Sequence, residues 1–289
     1  MDANMQTTRA YGISVQERTL QVQGLEVEIL ESAGNSDPVF LFHGNSSSAE
    51  SFLPLFETAL GKDYKLVAVS LPGHGRSASP STEAARESTY SLAGLGKFAA
   101  ELVHVYGAPR YWLVGQSVSG HALLESIDDF PEASGLVLLS APPVSLPQFA
   151  QAFRPDPVSA LIFKPELSED DIEQLSSAFV STSNPEVRQQ VGNYIRNTDP
   201  QFRAMLGASV AQGKVKDECQ IFSTTAKPMI LIGGTEDRFL NTAYYASVEP
   251  TRLWNGAVSL IQGAGHAVQL DAPQQVASII QDFIGGGDR

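Results

Sequence analysis

Three residue types that together perform nucleophilic catalysis occur in this chain, each shortly after an apolar run. Ser117 follows the run 111–115 within the segment VGQSVSG, Asp237 follows the run 228–232, and His266 follows the run 258–261. A serine hydroxyl is a weak nucleophile and needs a neighbouring base to remove its proton. An imidazole does this near neutral pH, and a carboxylate holds the imidazole in one tautomer. The three residues therefore predict a hydrolytic site in which Ser117 attacks, His266 is the base and Asp237 is the acid.

Two other carboxylates compete with Asp237 for the acid position. Glu236 precedes it directly, and Asp271 comes after the histidine. Asp237 is preferred because it lies three residues past Gly234, where the loop has already left the strand. The segment after the predicted strand 136–139 reads SAPPV and offers no carboxylate.

The serine segment also has the local composition of a tight strand-to-helix turn. Such a turn lifts the nucleophile clear of the backbone and needs small residues around it, which Gly115 and Gly120 supply. Ser119 stands where the second glycine of the G-x-S-x-G pattern usually falls. Serine is small, so the turn is still predicted.

Two backbone N–H groups are candidates for binding the oxyanion that forms during acyl transfer. The apolar run 39–42 leads into HGNSSS. In a sheet with this order of catalytic residues, the loop after that strand supplies one N–H and the residue after the nucleophile supplies the other. Those residues are Asn45 and Val118.

The elements that must position these residues alternate along the chain. Strands separated by helical segments predict an α/β fold, a mostly parallel sheet of eight strands flanked by helices. The predicted strands are 19–22, 25–30, 39–42, 66–69, 111–115, 135–139, 228–232 and 258–261, and the clearest helices are 92–106, 121–130 and 273–284.

Residues 144–225 break this alternation. The segment is polar, punctuated by prolines and helix-like, and Ser168 followed by three acids is typical of a helix start. We expect residues 1–143 and 226–289 to form the hydrolase core and 144–225 to form an inserted helical cap. Residues near the serine and apolar residues of the cap are the candidate substrate contacts: Gly44, His121, Phe149, Phe153 and Phe179.

Composition narrows the function classes. The chain has 289 residues, a net charge of −13 and 43% hydrophobic residues, so it is globular and lacks a basic face for nucleic acid or an anionic membrane. A single cysteine excludes an intrachain disulfide and fits a cytoplasmic location. No signal peptide or membrane-spanning run is predicted. The five histidines lack zinc-site spacing and no phosphate loop occurs, so neither a metal nor a cofactor is expected. The sequence is compatible with a homodimer.

Five segments carry a family resemblance in chain order. VFLFHGN, SLPGHGRS, VGQSVSG, LIGGTED and GAGHAVQLDAP together resemble the α/β-hydrolase superfamily. HGNSSS, SAPPV and RLWNGAVSLIQGAGHA are most similar to the metal-independent α/β-hydrolase type of N-acyl homoserine lactonase. The resemblance implies Ser117, Asp237 and His266 as the triad, Asn45 beside the oxyanion, and opening of the lactone ring of quorum-sensing signals without a metal.

The expected reaction is cleavage of a small-molecule ester or lactone through an acyl-enzyme, with N-acyl homoserine lactones as the first candidates. A general carboxylesterase and a carbon–carbon bond hydrolase use the same triad and remain alternatives. An alternative of another class is a non-catalytic receptor that holds a small ligand on the hydrolase fold, because a fold does not guarantee turnover.

Overall fold

A single sheet forms the centre of the molecule in a computed structural model that describes residues 6–10 and 13–286. The nine strands in the described part of the chain are β1 (Gln6–Ala10), β2 (Ile13–Val22), β3 (Leu25–Glu31), β4 (Val39–Phe42), β5 (Leu66–Val69), β6 (Tyr111–Gln116), β7 (Ala133–Leu139), β8 (Met229–Gly234) and β9 (Ser259–Ile261). Their order in the sheet is β1-β2-β3-β5-β4-β6-β7-β8-β9.

The sheet is parallel where the candidate site residues lie and antiparallel at its N-terminal edge. Strands β5, β4, β6, β7, β8 and β9 pair in parallel, whereas β1, β2, β3 and β5 pair antiparallel along the chain start. The predicted α/β-hydrolase fold is confirmed. The eight predicted strands all have a counterpart, and β1 adds a further antiparallel strand at the edge.

Twelve α-helices occur in the described residues. They are α1 (Leu53–Phe56), α2 (Ala59–Asp63), α3 (Glu83–Thr89), α4 (Leu92–Tyr106), α5 (Val118–Glu125), α6 (Phe149–Ala152), α7 (Glu169–Phe179), α8 (Pro185–Arg196), α9 (Pro200–Ala211), α10 (Glu218–Thr224), α11 (Val268–Asp271) and α12 (Pro273–Gly285). Short 3₁₀ helices cover Ala49–Phe52, Ile127–Asp129, Leu146–Gln148, Pro157–Phe163, Thr242–Ser247 and Pro250–Arg252.

Helix ends follow the sequence signals. The Ser168 hydroxyl accepts from the Asp171 N–H while the Asp171 carboxylate accepts from the Ser168 N–H, so the predicted start of α7 is a capping box. Helix α4 matches the predicted range 92–106 and ends at Gly107, whose φ of 80° suits glycine. Helix α5 begins three residues earlier than predicted, at Val118, directly after the candidate nucleophile.

The core lies on both faces of the sheet. In β4, Phe40 and Phe42 join one apolar cluster, and Val39 and Leu41 join the other. All four residues are buried, because helices cover each face of a parallel sheet. This explains why the central strands appear in the sequence as unbroken apolar runs.

Residues 144–225, here called the insert, connect β7 to β8 and contain α6 to α10. The insert packs on the core in two places. Phe202 and Leu206 of α9 belong to one sheet-face cluster, and Phe179 of α7 packs with Phe239 and Ala267 near the histidine loop. The predicted division into core and cap domains stays a prediction. Within the described residues, no helix is both long and apolar enough to cross a bilayer.

Candidate active site

Ser117 occupies a strained turn between β6 and α5. Its φ of 52° and ψ of −123° lie in a region that non-glycine residues rarely adopt. Gly115 and Gly120 touch across this turn, since a Cβ on Gly115 would lie 2.6 Å from the Gly120 nitrogen. The Ser117 N–H donates to the Leu139 carbonyl at 2.8 Å, which fixes the turn to the neighbouring strand. The sequence therefore forms the predicted strand–serine–helix turn.

Ser119, which departs from the usual motif, has a partner of its own. Its hydroxyl is buried and donates to the carbonyl of His43, at the end of β4. A glycine at this position could not make that bond. The substitution therefore connects the serine turn to the loop that follows β4.

Asp237 and His266 meet at the ends of β8 and β9. The His266 Nδ1 donates to a carboxylate oxygen of Asp237 over 2.7 Å, and both side chains are almost fully buried. The other Asp237 oxygen accepts the N–H groups of Phe239 and Leu240 at 2.8 and 3.0 Å. These three bonds fix the carboxylate and leave the His266 Nε2 as the ring's proton acceptor.

The rival carboxylates lie elsewhere. Glu236 is exposed. Asp271 accepts the N–H groups of Gly265, Ser181 and Thr182 at 2.7 to 2.9 Å. It therefore joins the histidine loop to the segment after α7.

The serine turn approaches the histidine loop through its neighbour Gln116. The Gln116 side-chain nitrogen lies 3.5 Å from the His266 carbonyl, which brings the two loops together. In the described residues, the Ser117 hydroxyl forms no hydrogen bond with the imidazole. Such contacts are often long in free enzymes and shorten when substrate binds.

The predicted oxyanion donors lie on the loop after β4 and at the start of α5. Among the described residues, the N–H groups of Asn45 and Val118 have no acceptor within the protein, and Val118 is the first residue of α5, where helix N–H groups lack partners. The side-chain amide of Asn45 donates to the Ile162 carbonyl of the insert at 2.7 Å. A Cβ on Gly44 would overlap the Gln116 amide oxygen and lie 3.1 Å from the Ser117 Cβ, so the close approach requires glycine.

Two buried histidines hold this loop in place. His43 Nδ1 lies 2.7 Å from the Gly44 carbonyl, and its Nε2 accepts the Leu71 N–H at 3.0 Å. His74 Nε2 accepts the Ser46 N–H at 3.3 Å. Burial lowers the pKa of His43 to about 4 and that of His74 well below its usual value. Both rings are therefore neutral and act as hydrogen-bond bridges.

A buried arginine joins the insert to the same loop, and the sequence analysis did not identify it. Arg203 of α9 donates to the carbonyls of Lys164 and Pro165 at 2.9 and 2.8 Å and to the Ser46 hydroxyl at 3.3 Å. Burial lowers its pKa, and Asp199 opposes that shift. Nothing in the spacing of Arg203 signals these contacts, because its partners are backbone groups of distant segments.

A cavity of about 90 Å³ lies over Ser117 between the core and the insert. Its polar lining residues are Ser117, Asn45, His121 and Glu218. The apolar lining residues are Leu92, Val118, Val144, Phe149, Phe153, Ile162, Phe163, Leu206, Val210 and Val215.

The predicted substrate contacts divide into two groups. His121, Phe149 and Phe153 line the cavity. Gly44 lies against the serine turn, and Phe179 packs on the His266 ring with centroids 5.9 Å apart. Glu218 was missed, because a lone acid near a helix start has no distinctive sequence pattern. In the described residues, no three His, Cys, Asp or Glu side chains converge as metal ligands would.

The fold and the arrangement at the strand ends define the class. The model of the alpha/beta hydrolase family matches residues 39–279, and the chain belongs to that family. A crystal structure of a variant of the N-acyl homoserine lactonase AidH with N-hexanoyl homoserine superposes with a TM-score of 0.88 at 26% identity, over 95% of this chain and 98% of that one.

Esterases are also among the relatives. The pimeloyl-[acyl-carrier protein] methyl ester esterase of Xanthomonas oryzae pv. oryzae is 27% identical over 272 residues, 88% of this chain and 98% of its own length. The Rhodococcus esterase RhEst1 shares the fold, with a TM-score of 0.75 at 22% identity over 94% of this chain and 99% of that one. The chain thus has both lactonase and esterase relatives.

Proposed function

We propose that the protein is a serine hydrolase that cleaves carboxylic esters or lactones through an acyl-enzyme. The buried 2.7 Å hydrogen bond between His266 and Asp237 carries this proposal. A carboxylate fixed in this way orients an imidazole and stabilises its protonated form during catalysis. Ser117 lies in the adjoining loop, on a turn whose strain is typical of functional sites.

The proposed reaction has two halves. His266 Nε2 takes the Ser117 proton as the oxygen attacks the substrate carbonyl, and the N–H groups of Asn45 and Val118 bind the oxyanion. His266 then returns the proton to the departing alcohol oxygen. In the second half His266 activates a water that releases the acid from Ser117. In a lactone the alcohol and the acid stay joined, so the product is one ring-opened molecule.

The first candidate substrates are N-acyl homoserine lactones. The similarity to the AidH complexes and the apolar cavity above Ser117 support this choice, since an acyl chain needs apolar walls. A general carboxylesterase is the second candidate, supported by the same apolar walls and the methyl ester esterase relatives.

The test compares the native protein with Ser117→Ala and Ser223→Ala, the second being an exposed serine on α10. N-butanoyl and N-hexanoyl homoserine lactones are followed by mass spectrometry for the gain of one water, beside p-nitrophenyl butyrate. We expect Ser117→Ala to lose about 10⁴-fold or more in kcat on every substrate cleaved, as removal of a catalytic nucleophile does. Ser223→Ala should keep native rates.

A fluorophosphonate probe separates the alternatives. We expect it to add its mass to Ser117 in the native protein. Ester cleavage without lactone opening would select the carboxylesterase. Lack of both labelling and turnover in a protein that still binds lactone would select the non-catalytic receptor. Turnover that survives in Ser117→Ala would refute the mechanism.

A further inference from the structure

Besides Ser117, the cavity is lined by a hydrogen-bonded pair of polar side chains, His121 and Glu218. His121 lies on α5, four residues after Ser117, and Glu218 is the first residue of α10 in the insert. The His121 Nδ1 lies 2.9 and 3.0 Å from the two Glu218 carboxylate oxygens. Both residues line the cavity, where their neighbours are apolar. The reaction proposed above does not use either of them.

The bonding of this pair leaves one ring atom available. Glu218 is satisfied by His121 and by the Val144 N–H, which lies 3.0 Å from its Oε2. Its side chain is 2% exposed and that of His121 is 12% exposed. In the described part of the chain, the His121 Nε2 has no protein partner. His121 is therefore the member of the pair that can meet a ligand.

The charges around His121 determine whether its Nε2 carries a proton and donates a hydrogen bond. Glu218 on α10 and Glu125 on α5 both face His121, and Lys216 donates its N–H to Glu125. Burial lowers the pKa of His121, but the two carboxylates outweigh it and the net shift is upward. Burial also raises the pKa of Glu125 to about 7. The imidazolium is thus favoured, and its second N–H is a donor suited to a carbonyl oxygen.

The position of His121 on α5 determines which carbonyl it can reach. Ser117 precedes α5 directly, and its carbonyl accepts the His121 N–H at 3.2 Å, so the two residues lie one helical turn apart, about 6 Å along the axis. An extended chain advances ~3.5 Å for every three bonds, so this rise corresponds to about five bonds. A carbonyl oxygen four to five bonds beyond the scissile carbon falls in this range.

We propose that His121, held by Glu218, determines specificity by donating a hydrogen bond to a second carbonyl oxygen four to five bonds beyond the scissile carbonyl. This rests on the proposed function. The preferred substrates are then esters or lactones with an oxo or acylamino group at that distance, rather than plain alkyl esters. The amide carbonyl of an N-acylamino lactone, four bonds from the ring carbonyl carbon, meets the condition.

The test uses p-nitrophenyl hexanoate with its 4-oxo and 5-oxo derivatives. These esters share chain length and leaving group, so the ratio of their kcat/KM values isolates the added carbonyl. We expect the native protein to favour at least one oxo ester by about tenfold, the size of one charge-assisted hydrogen bond. His121→Phe should bring the ratio close to one, and Glu218→Gln should lower it by less.

The control is His104→Phe, which changes an exposed histidine on α4. It should keep the native ratio. Circular dichroism and fluorophosphonate labelling identify variants that remain folded with a reactive serine. A folded, labelled His121→Phe protein that keeps the native ratio would overturn the proposal and leave the serine mechanism standing.

The pH dependence gives a second readout. The second N–H is present below the pKa of His121, which is raised above its usual value, and is lost as pH rises through it. The oxo-to-hexanoate ratio should therefore fall with rising pH in the native protein and stay flat in His121→Phe. A native ratio as flat as that of the variant would contradict donation by the imidazolium.

Binding to Ser117→Ala separates this proposal from the serine mechanism. Calorimetry compares methyl 4-oxohexanoate and methyl 5-oxohexanoate with methyl hexanoate in Ser117→Ala and in Ser117→Ala/His121→Phe. A preference of about tenfold for either oxo ester that disappears in the double variant supports recognition by His121, whatever the turnover tests show. Equal binding of all three esters in both proteins overturns it.

Discussion

The two walls of the cavity are held in different ways. On the core side, Ser117 and the Asp237–His266 pair lie at strand ends fixed by backbone bonds of the parallel sheet. On the insert side, separate contacts replace a continuous ladder of strand bonds. Asn45 bonds to the Ile162 carbonyl, the Asp199 N–H bonds to the Gly73 carbonyl, and α9 packs against a sheet-face cluster. Under the proposed function, the core wall carries the reaction, and the insert wall changes substrate preference one contact at a time, together with His121 of α5.

The largest effect is expected from the carboxylate of the core wall. Asp237→Asn keeps the shape but removes the charge that orients His266, so kcat should fall about 10⁴-fold. Hydrolysis rates of p-nitrophenyl butyrate at saturating substrate measure this fall in kcat. The matched control is Glu236→Gln, an exposed neighbour that should stay near native activity. If Glu236→Gln lost the activity instead, the acid would be assigned to the wrong residue.

The next largest effect tests how tightly the core wall is packed. In Gly44→Ala the added Cβ meets the Gln116 amide oxygen and the Ser117 Cβ, so the serine or the oxyanion loop must shift. A displacement of about 1 Å can cost about 10²-fold in rate. Gly285→Ala adds a Cβ with no atom within 4 Å and should stay near native. Equal kcat in the two variants would show that this wall is less rigid than proposed.

A smaller effect is expected where the insert is fastened. Arg203→Met leaves the carbonyls of Lys164 and Pro165 without their donor, and we expect a loss of about 2 kcal/mol in the free energy of unfolding. Urea denaturation measures it. Arg196→Met removes an exposed pair with Glu169 and should have little effect. Equal midpoints for the two variants would mean that Arg203 does not hold the insert.

The smallest effect concerns selectivity at the insert wall. Phe153→Ala enlarges the cavity next to Phe149, whose ring lies 4.6 Å from it. We expect the preference to move toward longer acyl chains by about tenfold in kcat/KM, the value of one or two methylenes in an apolar site. Leu146→Ala, a half-exposed insert residue outside the cavity lining, is the control. An unchanged chain-length profile would place the acyl chain elsewhere.

How far the sequence predicts the site differs between the two walls. The core strands are short apolar runs, and strand ends of a parallel sheet meet at one edge, so the meeting of Asp237 and His266 could be expected from chain order. Their catalytic roles stay predictions. Arg203 and Glu218 could not be identified from the sequence. Arg203 bonds to backbone carbonyls, and Glu218 bonds to an N–H and an imidazole. These partners lie in distant segments that no sequence pattern relates to either residue. Strand β1 was also missed, since the segment QTTRA lacks an apolar alternation.

The hydroxyl of Ser119 has a consequence for protein engineering. It joins the first turn of α5 to the loop after β4, 76 positions away in the chain, and so couples the position of Ser117 to that of the predicted oxyanion loop. Ser119→Gly would remove this hydrogen bond, and the serine turn and the loop after β4 would then move independently. Under the proposed function, Ser119→Gly should therefore have a lower kcat than the native protein, although it restores the usual G-x-S-x-G motif.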